Sequence, residues 1–280
     1  MKNHEIFTSD SVLSCENYFS VDNLKDLKLF SKIAKSLRIN LLTVDDFNLE
    51  KMNELITSEK AKEYSVTSLV EIYKNTTGDK FDLLNLKEII SESIISSKFN
   101  THILISRKTL EETSIESLKR KLSELRDKYE IIAVKSDNIK ILKWAAHDRR
   151  VDYISVNLMS SNLVIDKALC SLMKQHNKCF ELILSPLLLS DNKGISIAIR
   201  SGKKIFKLIY STNTQFILTM KPDSCFQLRN GIQIRYLAQL LDIPYNRSKI
   251  SVFDNQLLIA LKNTMKLEKS NIVDGIKEAD

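Results

Sequence analysis

Two adjacent aspartates, Asp45 and Asp46, are the side chains best placed to hold a divalent metal ion. They follow the short apolar segment 39–44, which predicts a buried strand, and carboxylates after strands are typical of metal-dependent hydrolases. An aspartate between a strand and a helix more often caps the helix, because its carboxylate accepts hydrogen bonds from the first free amides. We therefore predict a cap, and keep a metal-dependent phosphoesterase as the alternative.

The histidines, serines and glycines form no recognisable catalytic or cofactor-binding motif. HxH and HExxH place two imidazoles on one metal ion, and neither occurs among His4, His102, His147 and His176. Ser185 is followed by proline and lacks the glycines of a nucleophile elbow. The glycine-rich loops that wrap nucleotide phosphates are missing as well. The sequence predicts no catalytic residue, no metal ligand and no cofactor bound by this chain.

Basic side chains recur where the predicted strands end, at Arg107, Lys135 and Lys221. The carboxyl ends of parallel strands converge at one edge of a sheet, so solvation alone explains these charges poorly. A guanidinium binds phosphate in a two-pronged geometry, and a lysine supplies a point charge. These positions therefore predict a polyanionic ligand.

The overall composition is that of a globular domain with a moderate excess of positive charge. The net charge is +7 and the pI about 9.0, which favours a polyanionic partner. Lysine-rich surfaces also keep proteins in solution, and Lys203, Lys204 and Lys207 on one outer helix face fit that interpretation. No run of about 18 apolar residues and no signal-peptide core occurs, so we predict neither a membrane span nor secretion. Four scattered cysteines predict buried, reduced thiols.

Alternating apolar strands and amphipathic helices must position these side chains. The predicted strands lie at 101–107, 130–135, 152–156, 179–184 and 215–220, with a helix between each pair. Such alternation is typical of a parallel sheet covered on its outside. Many units in a row predict an α/β fold: a TIM-like βα barrel, seven-stranded or distorted, with extra helices at the C-terminus.

The domain organisation follows from the same pattern. We expect a single barrel domain over 1–268, best defined at 101–241 and least defined in 1–100, followed by a flexible tail at 269–280.

Local signals predict where individual elements begin and end. Thr113 and Glu116 form a capping-box pattern, and Asp137 is placed to cap the next helix. The segment 66–73 predicts a further strand, and 248–267 predicts one continuous helix.

Four phrases, in order, resemble those of the barrel subunit of ribonuclease P, the roughly thirty-kilodalton protein of the archaeal and eukaryotic enzymes. KYEIIAV at 128–134 resembles the family's KYDVVAV, and VDYISV at 151–156 resembles its VDLIS. FELILSPLL at 180–188 resembles FEI..SPLL, and LRNG at 228–231 resembles LRxP, with Gly231 in place of the proline. The family's serine-rich ISSGA segment is replaced by LTMK, which ends at Lys221.

The resemblance implies a protein subunit of an RNA-based endonuclease that removes 5′ leaders from precursor tRNA. In that family the RNA carries the catalysis, with Mg²⁺ expected on the RNA. The implied partners are the ribonuclease P RNA, precursor tRNA, a small α/β protein subunit and the other protein subunits. The implied location is the cytoplasm, or the nucleus of a eukaryotic host. The barrel is similar to that of the polymerase-and-histidinol-phosphatase hydrolases without their metal-binding histidines.

The basic strand ends and the resemblance together predict which residues contact RNA. They are Arg107, Lys135, Arg200, Lys221 and Arg229, of which Arg200 stands where the family carries an arginine. The rival functions are the metal-dependent phosphoesterase, which needs Asp45, Asp46 and a histidine to converge, and a protein-binding scaffold with incidental charge.

Overall fold

A computed structural model describes residues 15–20, 24–58, 66–69, 72, 102–159, 165–267, 271–273 and 276–277. The elements before residue 100 are β1 (Cys15–Ser20), α1 (Leu24–Ser36), β2 (Leu41–Asp45), α2 (Leu49–Thr57) and β3 (Val66–Ser68). From residue 102 they are β4 (His102–Leu110), α3 (Ile115–Leu125), β5 (Ile131–Val134), α4 (Ile139–His147), β6 (Tyr153–Val156), α5 (Lys167–Gln175), β7 (Cys179–Ile183), α6 (Pro186–Leu189), α7 (Asn192–Thr212) and β8 (Gln215–Thr219). The last elements are α8 (Gly231–Gln239), α9 (Tyr245–Val252), α10 (Asp254–Leu267), β9 (Asn271–Val273) and β10 (Ile276–Lys277).

The first eight strands form one parallel sheet, and seven of them follow a single path in the order β1-β2-β4-β5-β6-β7-β8. β3 pairs with the first three residues of β4, whereas β5 pairs with residues 107–110 of the same strand. Residues of β1 and β8, at the two ends of the path, approach each other, so the sheet curls towards closure. The predicted TIM-like barrel, seven-stranded or distorted, is confirmed.

The outer face of the sheet packs against the helices, as the near-continuous apolar strands predict. Ile132 and Val134 of β5 and Ile154 of β6 form one buried cluster with Leu118 of α3 and Ala145 of α4. Each buried Leu or Ile contributes roughly 1.5–3 kcal/mol relative to an exposed one, so this layer carries much of the fold's stability.

The inner face of the sheet is covered by α10. Tyr153 of β6 and Ile217 of β8 pack with Leu257 and Leu261 of this helix. The amide Nε2 of Gln256 donates to the carbonyl of Leu218 at 3.2 Å, which ties the helix to β8. The predicted C-terminal helices therefore complete the core of the barrel.

Helix α7 lies unusually close to the chain segment that follows α8. A Cβ on Gly202 would stand 2.6 Å from Cδ2 of the buried Leu241, so only glycine permits this approach without a shift of the neighbour. The close contact sets residues 242–244 beside α7.

Three helix caps differ from the predicted ones by one to three residues. Asn48, rather than Asp45 or Asp46, caps α2 by accepting from the amide of Lys51. Ser114 caps α3 in place of Thr113, and Asn138 caps α4 in place of Asp137. Each of these side chains can cap, so composition places a cap within a turn of the helix start but does not choose among neighbouring polar residues.

Two predicted elements are shorter than the sequence suggests. The segment 66–73 is a strand only over β3, since Leu69 and Ile72 are helical. The segment 248–267 is divided between α9 and α10 at Phe253, whose φ of −134° and ψ of −60° are not helical.

Three further findings bear on the remaining predictions. The predicted tail contains β9 and β10, which pair in antiparallel fashion. Cys170, Cys179 and Cys225 are buried free thiols, as predicted. No helix in the part of the chain that the structure describes is both long and apolar enough to cross a membrane.

Candidate nucleic-acid interface

Arg107, the first predicted RNA contact, lies inside the barrel with 0% of its side chain exposed. Its Nη1 and Nη2 each donate to one carboxylate oxygen of Glu181 at 2.6 Å. Its Nε donates to the hydroxyl of Thr109 at 3.2 Å, and Nη2 also donates to that of Ser155 at 3.3 Å. RNA cannot reach a guanidinium enclosed in this way. The predicted RNA contact of Arg107 is therefore replaced by a structural role inside the barrel.

Strand alternation explains why Arg107 points inward. Ile103 and Ile105 of β4 belong to the inner cluster, and successive side chains of a strand alternate between faces, so Arg107 shares their face. Its partner Glu181 lies on β7, which is separated from β4 in the sheet by β5 and β6. The ion pair therefore crosses the barrel interior. The signal in the sequence is Glu181 itself, because an ionised carboxylate within a buried apolar strand is costly unless a cation pairs with it.

The inward-facing carboxylates already accept hydrogen bonds from protein donors. Glu181 is held by both outer nitrogens of Arg107, and Oδ1 of Asp45 accepts from the amide of Thr109 at 2.9 Å. Arg107 is paired in register with Asp45, so a permanent positive charge stands beside the carboxylate that a metal would need. Among the described residues no three His, Cys, Asp or Glu side chains come together as a metal site. The geometry gives the phosphoesterase alternative no support.

The two aspartates at the end of β2 link it to the neighbouring strand and do not form a pair that faces one ligand. Asp45 is almost buried, and burial raises the pKa of its carboxyl above the ordinary value, against the opposing influence of Arg107. Asp46 is exposed and forms an ion pair with Lys108 of β4. Both interactions link β2 to β4.

The described histidines also lie away from the carboxyl ends of the strands, where a barrel enzyme would place its metal ligands. His102 is buried at the start of β4, where its Nδ1 is 2.7 Å from the carbonyl of Ile39, and burial lowers the pKa of its ring. His147 ends α4 and His176 follows α5, and their ring nitrogens are 2.9 Å apart. The predicted helix-terminal positions of these two histidines are confirmed.

Lys135 and Lys221 stand at the carboxyl ends of β5 and β8, as predicted. Lys135 is 31% exposed, and its Nζ is 2.7 Å from Oε1 of Glu111. Lys221 is partly exposed and has a φ of +49°, in the left-handed region that few residues other than glycine adopt. The two lysines share one edge of the sheet, with the ends of β6 and β7 between them.

Arg229 stabilises the loop after β8. Its Nη1 donates to the carbonyls of Phe226 and Leu228 at 2.9 and 2.8 Å. Leu228 and Cys225 are buried against residues of α1, and Phe226 is 78% exposed. Arg229 remains partly exposed, so its guanidinium shapes the loop and is also accessible at the surface.

Arg200 lies exposed on α7, where it begins a positively charged surface. We use the term α7 basic face for Arg200, Lys203, Lys204 and Lys207, which are all exposed. The three lysines follow Arg200 by three, four and seven residues, which places them on one side of the helix. Lys203 forms an ion pair with Asp242 at 2.8 Å. Within the described ranges, none of the other three forms an ion pair. The three lysines were predicted to be only a solvated face. In the structure they adjoin Arg200, which is a predicted RNA contact, and form one positively charged surface with it.

Comparison with protein families gives a match over most of the chain. The model of the family described as RNase P subunit p30 matches residues 42–267. No protein with a curated description matches the sequence.

Comparison with solved structures gives a fold match over nearly the full length. The cryo-EM structure of archaeal ribonuclease P with mature tRNA contains a chain with a TM-score of 0.65 and 18% identity, covering 94% of this chain and 96% of that one. A histidinol phosphate phosphatase from Lactococcus lactis subsp. lactis has a TM-score of 0.43 and 9% identity, covering 82% and 93%. A Xaa-Pro dipeptidase has a TM-score of 0.49 and 10% identity, covering 90% and 76%.

Proposed function

The chain belongs to the RNase P subunit p30 family and is a protein subunit of ribonuclease P, and from this premise we propose that it binds and organises RNA while the RNA component cleaves 5′ leaders from precursor tRNA. The resemblance predicted from the sequence phrases is confirmed by the family match.

The observation that carries the proposal is the separation of the two kinds of basic residue. Arg107 is neutralised by Glu181 inside the barrel, whereas Arg200, Lys135 and Lys221 have side chains at the surface. Exposed positive charges bind the RNA backbone and release its counterions, which gives affinity without sequence preference. Arg229 serves RNA binding mainly through the loop that it holds.

We propose that this chain contributes no catalytic group. Hydrolysis of a phosphodiester needs a metal-bound water or a general base beside the scissile bond. The inward carboxylates Asp45 and Glu181 already accept from Thr109 and Arg107, which makes them poor candidates for either task. The Mg²⁺ required for cleavage is expected on the RNA.

The proposed partners follow from family membership. They are the ribonuclease P RNA, precursor tRNA, a small α/β protein subunit and the other proteins of the complex. The archaeal complex with mature tRNA, whose chain matches this fold, supports an assembly of this kind. We expect the protein in the cytoplasm, or in the nucleus if the host is eukaryotic.

Reconstitution with one component left out tests the proposal. The ribonuclease P RNA and the other protein subunits are combined with and without this chain, and the initial rate of 5′-leader cleavage is measured on precursor tRNA. We expect a lower rate without the chain and recovery when it is added back. The chain alone, with Mg²⁺, is expected to cleave nothing.

Two results would contradict the proposal in different ways. Equal rates with and without the chain would remove its supporting role. Cleavage by the chain alone, abolished by Asp45→Ala, would favour the phosphoesterase alternative. The remaining rival is a protein-binding scaffold whose charge is incidental. RNA binding that is unchanged after substitution of the surface arginines would favour that scaffold.

A further inference from the structure

A groove on the outside of the barrel lies next to the α7 basic face. It has a volume of about 420 Å³, a size typical of sites for small molecules. One wall of the groove is α7. The other wall is the segment 242–244, including Asp242 and Pro244, which lies close to α7 because residue 202 is a glycine. Lys203, Lys204 and Lys207 stand along the α7 wall. The groove thus combines an apolar interior with a cationic rim.

The aromatic residues of the groove are arranged to receive a flat ring. Phe206 is buried at its base, packed edge-on against Phe216 with ring centroids 5.7 Å apart. Tyr210, one helical turn further along, is 58% exposed, and its ring centroid is 5.7 Å from that of Phe206. A buried phenylalanine therefore supports an exposed tyrosine face, and exposed aromatic faces of this kind stack on unpaired bases.

The charges around the groove select for an anion. Lys203 is compensated by Asp242, but Lys204 and Lys207 form no ion pair with any residue that the structure describes. Arg247 lies beside the C-terminal end of α7, where its Nη2 donates to Oδ1 of Asn213 at 3.1 Å. Two uncompensated ammonium groups beside an aromatic face match a nucleotide, whose base is apolar on its faces and whose phosphate is negative.

We propose that this groove binds an unpaired nucleotide of RNA, with the base stacked on Tyr210 and the adjacent phosphates held by Lys204 and Lys207. The inference rests on the proposed function, because it names the kind of RNA segment that the subunit binds. Duplex RNA does not fit the groove, because its bases are stacked on one another and unavailable to the tyrosine.

The test uses the full chain and two fluorescent probes, a single-stranded oligouridine and an RNA hairpin without unpaired bases in its stem. We expect Tyr210→Ala to weaken oligouridine binding about tenfold and Tyr210→Phe to retain most of it. Lys204→Ala with Lys207→Ala is expected to reduce the slope of log K against log salt by about 1.4. A 4-thiouridine probe is expected to crosslink to the wild-type groove and not to Tyr210→Ala.

Matched controls separate the groove from general surface effects. Tyr236, on α8, is 59% exposed and does not line the groove, so Tyr236→Ala should leave affinity unchanged. Lys262→Ala, on α10, removes an exposed lysine elsewhere and should leave oligouridine affinity close to that of the wild type.

The outcomes distinguish this inference from the proposed function. If Tyr210→Ala binds oligouridine as tightly as Tyr236→Ala, or if the hairpin binds the groove equally well, the inference is wrong while the proposed function stands. If the wild-type chain binds neither the probes nor ribonuclease P RNA, the proposed function fails as well. Loss of a protein partner by Tyr210→Ala, with RNA affinity retained, would make the groove a protein-binding surface.

Discussion

At the scale of single residues, the presence of an arginine in the sequence does not show whether its side chain points into the protein or towards solvent. Arg107 and Arg200 look equivalent in the sequence, yet one is fully buried on Glu181 and the other is exposed on α7. The difference follows from the alternation of a strand against the periodicity of a helix. Counting inward positions from Ile103 and Ile105 would have placed Arg107 in the interior.

Removing Arg107 should destabilise the fold rather than weaken RNA binding directly. Arg107→Met leaves the carboxylate of Glu181 buried without its cation, which we expect to lower the free energy of unfolding by about 3–5 kcal/mol. Arg107→Met combined with Glu181→Leu removes both charges and should recover most of that loss. Chemical denaturation of the three proteins provides the comparison.

An exposed arginine gives the matched control for this double-mutant comparison. Arg120 of α3 is exposed, so Arg120→Met should change the free energy of unfolding by less than about 0.5 kcal/mol. If Arg107→Met is as stable as Arg120→Met and binds RNA more weakly than the wild type, the structural role assigned to Arg107 is wrong.

At the scale of elements, Lys178 joins the C-terminal end of α4 to the start of β7. Its Nζ donates to the carbonyl of Ala145, in the last turn of α4, at 3.0 Å and to that of Asp148. Cations near a helix C-terminus interact favourably with the free carbonyls there. Burial nevertheless lowers the pKa of Lys178 from 10.5 to about 8.

The lowered pKa predicts a specific pH dependence of stability. Below pH 8 the lysine is charged in both the folded and unfolded states, so the cost of burying the charge is fully present. Between about pH 8 and 10.5 the unfolded state binds more protons, and the folded state gains stability as pH rises. We expect the stability of the wild type relative to Lys178→Met to increase by up to about 3 kcal/mol across this window.

Denaturation at a series of pH values checks this expectation against Lys174→Met. Lys174 lies exposed on α5, so its variant should follow the wild type across the same pH range. A difference between wild type and Lys178→Met that stays constant from pH 7.5 to 10.5 would contradict the buried, proton-losing lysine.

Element order could be predicted well from the sequence, and element ends less well. The strands β4 to β8 follow from apolar runs and intervening helical periodicity, since both depend on local pattern. β1 was not predicted, because Cys15–Ser20 mixes polar and apolar residues and forms a strand through its pairing with β2. The break at Phe253 between α9 and α10 has no helix-breaking residue to announce it.

The candidate site was predictable in part. Arg200, Lys135 and Lys221 were identified at positions that the structure places at the surface. The groove was not predictable, because it depends on the approach of residues 242–244 to α7, which no local pattern records. Spacing alone could have grouped Lys203, Lys204 and Lys207 with Arg200, but only the three-dimensional packing adds Tyr210 and Pro244.

At the scale of the whole molecule, the barrel has its interior committed to stability and its outside available for binding. α10 covers the inner face of the sheet, and the Arg107–Glu181 pair crosses the remaining interior. In barrel enzymes the substrate binds at the carboxyl ends of the strands, above a packed interior. We therefore expect the excess of positive charge to act at the outer surface, on the α7 basic face and on the sheet edge that carries Lys135 and Lys221.

The salt dependence of binding to ribonuclease P RNA tests this central claim most directly. The dissociation constant is measured over a range of salt for the wild type, for Lys135→Ala with Arg200→Ala and Lys221→Ala, and for the interior pair Arg107→Met with Glu181→Leu. We predict that the surface triple variant reduces the slope of log K against log salt by about 2, and that the interior variant leaves it unchanged. A flat wild-type response, or a slope reduced by the interior variant alone, would contradict the account.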